Sequence, residues 1–423
     1  MLYDRWRQIA QERGAEIALR DVASNGQWTF AELARLTENG LPGSPPVVYP
    51  HGISAEFIFT VLRAWRDGRV VCPLETGQDV PAVPTPPPNI VHLKTTSATT
   101  GAPRVIAFTA SQLKADVENI ATTMGLRPEW PNVGVISLAH SYGFSNLVLP
   151  LLLEGIPLVL PGSTLPEVVR KIVGQLGPCV IPAVPALWRA WHEANAIAPN
   201  IRLAISAGAP LSLQLEATVF ATTGLKIHNF YGASESGGLA FDSSDEPRVD
   251  ADSAGLPLHD VRLTLDEAGR LQVRSRAVAE SYWPERGADL GNGCFQTSDL
   301  AELMEGQVFL RGRASDLINM AGRKVAPETI EAALRNHPEV RECLVFGVQS
   351  NQDERTETIV ACISTRSPVS PATLKQFLSQ RLPAWQVPRE WRFEDLETNA
   401  RGKLSRAEWR RKWEHERNDS AKS

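Results

Sequence analysis

The segment TTSATTGAPR, from Thr95 to Arg104, concentrates hydroxyl side chains around one glycine and ends on a basic residue. Backbone N–H groups and hydroxyls at this spacing can bind several phosphate oxygens at once, and Arg104 adds a fixed positive charge. The same composition is also typical of a surface turn. The segment lacks the G-x-x-x-x-G-K-[ST] spacing of a Walker A loop. It therefore predicts either a phosphate-binding loop or an ordinary turn. Motifs elsewhere in the chain are needed to distinguish the two.

Length and composition are those of an ordinary soluble globular chain. The 423 residues are 43% hydrophobic and 22% charged, which is enough apolar material for two or more cores. The formal net charge of −5 provides no basic field for nucleic acid or for an anionic membrane. Five widely spaced cysteines form no CxxC pair and indicate small buried residues in a reducing compartment. A nucleic-acid partner is therefore not expected.

The first residues, MLYDRWRQIAQERG, carry charges throughout and do not match a secretory signal. The most apolar stretch, Leu147 to Gly162, is interrupted by prolines, a glutamate and a glycine, and is too short for a membrane span. It predicts a buried helix end, a turn and a buried strand. We expect a cytoplasmic protein without stable membrane insertion.

Periodicity along the chain predicts an α/β fold. A proline-rich connector, Pro73 to Ile90, precedes the Thr95–Arg104 segment, after which strand-like and helical stretches alternate, as in layered α/β proteins. One of the predicted strands is VGVISLA, from Val133 to Ala139. Short strands and turns then indicate a small β subdomain. We predict a large N-terminal domain, 1–312, followed by a small mobile α+β domain, 313–423.

Four further motifs follow the Thr95–Arg104 segment in a fixed order. They are FYGASES (Phe230–Ser236), FQTSDLAEL (Phe295–Leu303), RGRASDLINMAGRKVAPETIEAAL (Arg311–Leu334) and NARGKLSR (Asn399–Arg406). Together the five motifs resemble the acyl-adenylate-forming superfamily, which contains acyl-CoA synthetases, adenylation domains of nonribosomal peptide synthetases and luciferases. The resemblance covers nearly the whole chain, and five ordered motifs are far more specific than any one of them.

The resemblance implies a site for Mg·ATP. The residues expected to bind the ATP phosphates are Thr96, Ser97, Thr99, Thr100, Gly101 and Arg104. Glu235 matches the family glutamate that binds Mg²⁺ beside a loop hydroxyl, here that of Thr99, and its alternative role is an exposed loop acid. Two departures from the typical family pattern are Ala98 in place of glycine and Arg104 in place of lysine. The alanine restricts a loop that can require positive φ, whereas the arginine keeps the charge.

The nucleoside part of ATP has its own implied residues. Tyr231 matches the aromatic residue that stacks on adenine, and Gly208, Ala209 and Pro210 resemble the loop on the other side of the base, although they also fit a plain turn. Asp299 matches the aspartate that accepts hydrogen bonds from both ribose hydroxyls, a role that suits its two acceptor oxygens. Arg313 corresponds to a second ribose contact.

The resemblance also implies the residues that act on the acid and on the thiol. Lys403 matches the catalytic lysine, although a solvated basic helix is the other interpretation of its surroundings. His140 resembles a residue at the mouth of the acyl pocket, but a lone histidine is more often structural. Asp316 matches the hinge about which the small domain turns. Gly322 matches a glycine beside the thiol channel.

The expected function is an acid–thiol ligase. A carboxylic acid and Mg·ATP give an acyl-adenylate and pyrophosphate, and a thiol of coenzyme A or of a carrier-protein phosphopantetheine arm then displaces AMP. Apolar residues around His140 favour a fatty or aryl acid, and no acidic residue of that region is obviously placed to pair with an amine. The alternative is a catalytically silent nucleotide-binding or regulatory protein, which Ala98, Arg104 and Asn319 motivate. Asn319 stands where many family members carry lysine.

Overall fold

Two separate cores dominate the structure, a computed structural model that describes residues 2–38, 46–96, 104–320, 322–349, 357–396 and 404–420. The larger core extends from Leu2 to Val308. The smaller one extends from Ile318 to Val387. The proposed division into 1–312 and 313–423 falls between these cores, which supports it as a proposal.

Helices occur in both parts of the chain. They are α1 (Leu2–Glu12), α2 (Phe30–Leu36), α3 (Ala55–Arg66), α4 (Ala110–Met124), α5 (Ser141–Gly143), α6 (Leu149–Glu154), α7 (Pro166–Val173), α8 (Pro185–Glu193), α9 (Leu213–Thr223), α10 (Pro327–Arg335), α11 (Pro371–Ser379) and α12 (Arg406–Ser420). A π-helical turn, Phe144–Val148, joins α5 to α6, and a 3₁₀ turn spans Ala384–Gln386. Among the helices so described, none is both long and apolar enough to cross a membrane.

The sequence explains the bounds of α4. The Thr109 N–H donates to the side chain of Gln112 at the start of the helix, which satisfies a backbone donor that the helix leaves unpaired. Gly125 ends the helix with a φ of +59°, a conformation that glycine adopts without strain. Leu113 and Val117, one turn apart, are buried on the same face.

Most strands belong to the larger part of the chain. They are β1 (Ile17–Asp21), β2 (Gly26–Thr29), β3 (Val47–Val48), β4 (Val70–Val71), β5 (Ile90–Thr95), β6 (Val105–Thr109), β7 (Asn132–Val133), β8 (Leu158–Leu160), β9 (Cys179–Ala183), β10 (Ile201–Ser206), β11 (Ile227–Ala233), β12 (Gly237–Phe241), β13 (Ser253–Pro257), β14 (Val261–Leu265), β15 (Arg270–Ser275), β16 (Ser281–Trp283), β17 (Leu290–Gly291), β18 (Cys294–Met304) and β19 (Gln307–Arg313). The smaller part contains β20 (Ile318–Met320), β21 (Arg323–Val325), β22 (Val340–Gln349), β23 (Glu357–Thr365) and β24 (Glu390–Phe393).

The described strands form four sheets, of which two contain or flank predicted site residues. In the larger sheet the order is β14-β15-β18-β19-β13-β12-β11-β10-β9-β7-β8-β1-β2, with β17 paired to β18. Strands β9, β10 and β11 are parallel, so their carboxyl ends lie at one edge, where ligands bind in α/β proteins. The second sheet has the order β16-β6-β5-β4-β3, and its neighbours β5 and β6 flank the Thr95–Arg104 segment.

A tight hairpin joins β18 to β19. The register pairs Met304 with Gln307, which leaves Glu305 and Gly306 as a two-residue turn. Both turn residues have positive φ, 52° and 80°, as the type I′ hairpin turn requires. The same register places Asp299 opposite Arg313.

The predicted strand from Val133 to Ala139 is wrong beyond its first residue. Strand β7 covers Asn132–Val133 only. The Val135 N–H donates to the Val133 carbonyl over 3.1 Å, which turns the chain out of the sheet. This turn releases the segment that leads to His140 from strand pairing.

Candidate active site

The two ends of the Thr95–Arg104 segment, at β5 and β6, are hydrogen-bonded to each other. The Thr96 N–H donates to the Arg104 carbonyl at 2.9 Å, and the Arg104 N–H donates to Thr96 Oγ1 at 3.0 Å. The Thr96 hydroxyl thus helps to join the two ends of the segment. The predicted phosphate-binding residues Ser97, Thr99, Thr100 and Gly101 lie outside the described residues.

Contacts of Arg104 connect the end of this segment to Glu235, the predicted metal-binding carboxylate. Its guanidinium lies 4.8 Å from the centre of the Tyr282 ring, within cation–π distance, and 3.9 Å from a carboxylate oxygen of Asp289. The Tyr282 hydroxyl donates to Glu235 Oε1 at 3.1 Å. Arg104, Tyr282 and Glu235 therefore form one connected cluster at the base of the loop.

Glu235 has the environment of a carboxylate that a cation would stabilise. Burial raises the pKa of this carboxyl group above its ordinary value, and the hydrogen bond from Tyr282 only partly opposes that effect. Across the described ranges there is no group of three or more histidine, cysteine or acidic side chains that could hold a metal by themselves. Mg²⁺ commonly binds through one or two carboxylates together with substrate phosphates, so a single half-buried glutamate fits it.

Tyr231, Asp299 and Arg313 meet near the carboxyl end of β11. The Tyr231 hydroxyl donates to Asp299 Oδ2 at 2.5 Å, and Arg313 Nε donates to Asp299 Oδ1 at 3.1 Å. Burial, together with the neighbouring Asp299 carboxylate, raises the pKa of Tyr231 well above its ordinary value, so the phenol stays a neutral donor. Three of the six residues proposed to bind the nucleoside thus share one hydrogen-bonded cluster.

The turn containing Gly208, Ala209 and Pro210 follows β10 directly. Gly208 has a φ of +88°, which other residues rarely adopt. Just before it, the Ala207 N–H donates to the Ala183 carbonyl of β9 at 3.2 Å. The turn therefore lies at the carboxyl ends of β9 and β10, beside the strand that carries Tyr231.

His140 caps α5, and a carboxylate lies beside its ring. His140 Nε2 is 3.0 Å from Glu75 Oε1, and the Ser137 hydroxyl donates to the same oxygen. Sequence reasoning missed Glu75, which follows β4 in the proline-rich connector. No local signal could have revealed it, because the fold alone brings together residues that are 65 positions apart.

Lys94 is a second residue that sequence reasoning missed. Its ammonium group donates to Ser141 Oγ at 3.1 Å and lies 4.4 Å from the centre of the Phe108 ring. Burial lowers the pKa of Lys94, while the carboxylates of Asp116 and Glu235 act in the opposite direction. A lysine inside an apolar strand pattern is the signal that could have identified this buried charge.

Of the two predicted site residues Lys403 and Asp316, only Asp316 lies within the described residues. Lys403 lies outside the described residues, but Arg406 follows it closely and contacts Asp316 at 3.0 Å, Glu328 at 2.7 Å and Glu331 at 2.9 Å. The predicted hinge residue Asp316 therefore contacts the start of α12.

Gly322 lies in the turn between β20 and β21, with a φ of +86°. Its N–H donates to the Asn319 side chain at 2.9 Å. A Cβ added to Gly322 would meet no atom within 4 Å. Asn319 thus has a local role in shaping this turn, and the proposed thiol-channel glycine lies beside open space.

Replacing Asp299 with asparagine should weaken ATP binding by roughly tenfold to a hundredfold. The amide keeps the shape of the side chain but removes the charge that Tyr231 and Arg313 contact, and hydrogen bonds to charged groups are worth about 1.5–3 kcal/mol. Titration calorimetry with ATP measures the loss. The exposed neighbour Glu302→Gln is the control. Unchanged ATP affinity in the Asp299 variant would make Asp299 a structural turn acid.

Comparison with known proteins agrees with these motifs. The AMP-binding enzyme family matches residues 62–283, and the AMP-binding enzyme C-terminal domain matches residues 329–403. An anthranilate–CoA ligase of Pseudomonas aeruginosa is 29% identical over 342 residues, which are 75% of this chain and 66% of that protein. A long-chain-fatty-acid–CoA ligase of Bacillus subtilis is 26% identical over 345 residues, which are 76% of this chain and 61% of that protein.

A solved structure shares the fold. The o-succinylbenzoate CoA synthetase of Bacillus subtilis, in complex with its acyl-adenylate intermediate, superimposes with a TM-score of 0.81 at 21% identity. The match covers 96% of this chain and 97% of that one. The predicted fold class, a large α/β domain followed by a small one, is confirmed. The chain belongs to the AMP-binding enzyme family.

Proposed function

We propose that this protein is an AMP-forming acid–thiol ligase. One observation carries the proposal: Tyr231 and Glu235, four residues apart, belong to two clusters at the end of β11. One cluster suits a nucleoside and the other a phosphate-bound cation. A carboxylate oxygen of the acid would attack the α-phosphorus of ATP and release pyrophosphate. A thiol would then attack the acyl carbon and release AMP.

Each group of residues has a proposed role in the first step. Arg104 and the hydroxyl-rich residues between Thr96 and Arg104 would hold the phosphates, with Glu235 and Thr99 holding Mg²⁺. When bound, the metal would offset negative charge on the pyrophosphate leaving group. Tyr231, Asp299, Arg313 and the Gly208–Pro210 turn would fix the nucleoside so that the α-phosphorus faces the acid. Lys403 would then stabilise the charge that develops between the carboxylate and the α-phosphate.

We propose a fatty or aryl acid as the substrate. The relatives are named as ligases of anthranilate and of long-chain fatty acids. On the acyl side, Phe144 is fully buried, and Tyr142 donates to the Ala183 and Ile205 carbonyls at 3.3 Å each. The thiol would come from coenzyme A, with a carrier-protein phosphopantetheine arm as the other proposed acceptor.

ATP–pyrophosphate exchange with a panel of fatty and aryl acids tests the proposal. At least one acid should support exchange that depends on added Mg²⁺, and the Glu235→Gln variant should lose it. AMP release should then require both that acid and a thiol. ATP binding without exchange on any acid would favour the alternative, a catalytically silent nucleotide-binding protein.

Replacing Asp316 with proline should separate the two half-reactions. Proline removes the Asp316 N–H, which donates to the Arg313 carbonyl at 3.0 Å, and restricts the torsions of Ser315 before it. If the small domain turns between the two steps, the variant should keep one step and lose most of the other. Asp316→Ala, which keeps the torsions and removes the contact with Arg406, is the control. Equal losses in both steps would place the hinge elsewhere.

A further inference from the structure

The proline-rich connector brings Glu75 to the site at a fixed position. Glu75 follows β4 at the same edge of the second sheet as Thr95, the last residue of β5. The Glu75 N–H donates to the Gln78 side chain at 3.1 Å, and the Gln78 amide donates to Thr95 Oγ1, also at 3.1 Å. The backbone of Glu75 is therefore tied to the strand that leads into the phosphate loop.

The side chain of Glu75 contacts the segment just before α5. Its Oε1 atom accepts the Ser137 hydroxyl and lies 3.0 Å from His140 Nε2. Ser137 Oγ in turn accepts the Ala139 N–H at 3.2 Å, which fixes the backbone just before His140. The His140 and Glu75 side chains are 27% and 23% exposed, so neither is sealed in the core, although the Nε2 atom of His140 is buried.

The charge of the Glu75 carboxylate matters for the proposed reaction. The acid and the ATP phosphates are anions, and a third anion beside them raises the electrostatic cost of bringing them together. The His140 ring lies against that charge, with Nε2 3.0 Å from Oε1, although the two atoms do not have the angles of a hydrogen bond. A carboxylate this close to one ring nitrogen favours the tautomer that carries its proton on that nitrogen.

We infer that Glu75 is a positioning residue for His140: its carboxylate, 3.0 Å from Nε2, favours the proton on that nitrogen and orients the imidazole toward the acid. The inference rests on the proposed function for the importance of His140 in the reaction. The pairing itself rests on the geometry alone. Glu75 thus acts through His140 and links the acyl side of the site to the strand before the phosphate loop.

The imidazole nitrogens of His140 report the pairing directly. We would record two-bond ¹H–¹⁵N spectra of the full chain labelled in histidine, and assign His140 by the signal that disappears in His140→Gln. In the wild type, Nε2 should carry the proton. In Glu75→Ala, the His140 signals should move toward a mixture of both tautomers. Asp79→Ala, which removes an exposed acid of the same connector, should leave them unchanged.

Activity provides the second measurement. On the best acid of the exchange panel, Glu75→Ala should lower kcat by roughly tenfold or more, the scale for losing the partner that orients a functional histidine. The KM for ATP should stay close to that of the wild type, because Glu75 does not belong to the clusters proposed to bind the nucleotide. Glu75→Gln, which keeps an acceptor oxygen, should restore both the tautomer and part of kcat.

The outcomes separate this inference from the proposed function. Unchanged His140 signals in Glu75→Ala would overturn the inference even if the wild type activates an acid. Shifted signals in a protein that activates no acid would support the pairing and contradict the ligase. If the alanine variant does not fold, Glu75→Asp provides the same test, because it withdraws the carboxylate by one methylene while keeping the charge.

Discussion

Replacing Lys403 with alanine is expected to slow acyl-adenylate formation by roughly 10²–10³-fold, the scale for removing one preorganised charge from a transition state. Transfer of the acyl group from supplied acyl-adenylate to the thiol should survive, since the second step is proposed to use another orientation of the small domain. Pyrophosphate exchange measures the first step, and thioester formation from synthetic acyl-adenylate measures the second.

Lys412→Ala is the matched control for Lys403. Lys412 belongs to α12 and donates to Glu394 at 3.0 Å on the surface, so its loss removes the same charge from the same small domain. It should leave both steps within about twofold of the wild type, because exposed ion pairs contribute at most about 1 kcal/mol. Equal losses of both steps in Lys403→Ala would contradict the catalytic assignment.

Replacing Glu216 with alanine should lower the free energy of unfolding by about 3–5 kcal/mol, because it leaves buried charges without their partner. Glu216 on α9 is fully buried and contacts the Lys226 ammonium, while Arg248 Nε donates to it at 2.9 Å. Lys226 also pairs with Asp242 at 2.7 Å. Burial opposes ionisation of Asp242, but hydrogen bonds from Lys226 and Ser244 outweigh it and lower its pKa.

Urea denaturation followed by tryptophan fluorescence measures this loss. Glu193→Ala, an exposed acid at the end of α8, is the control and should change stability by no more than about 0.5 kcal/mol. A loss below about 1 kcal/mol in Glu216→Ala would mean that Lys226 and Arg248 find water or other partners. The cluster would then contribute little to the stability of the large domain.

Sequence patterns predicted the α/β architecture because apolar residues recur at regular spacing in its helices and strands, and glycine or proline marks the ends of many of them. The stretch from Leu147 to Gly162 was predicted as a helix end, a turn and a buried strand. It forms α6, a turn at Gly155 with left-handed backbone, and β8. The predicted strand from Val133 to Ala139 was wrong because an apolar run does not reveal where the sheet hydrogen bonds stop. The local turn at Val135 stops them.

The predicted site residues came from motif order, and the contacts between them came only from the fold. Asp299 and Arg313 were assigned separately, and the β18–β19 register then placed them opposite each other. Glu75 could not be predicted, because its partner His140 is distant in the chain. The Glu216 cluster was missed for the same reason, since sequence shows charges but not which of them are buried together.

The contacts on either side of the proposed hinge limit where the chain can bend. Arg313 is attached to Asp299 in the large domain, and the Ala314 N–H donates to the Ser298 carbonyl at 2.8 Å. Asp316 is attached to Arg406 in the small domain. A rotation that preserves these contacts must therefore be absorbed by the φ and ψ torsions between Ala314 and Asp316, and it would break the Asp316 N–H to Arg313 carbonyl bond that spans Ser315. The whole small domain would then rotate about a segment of three residues.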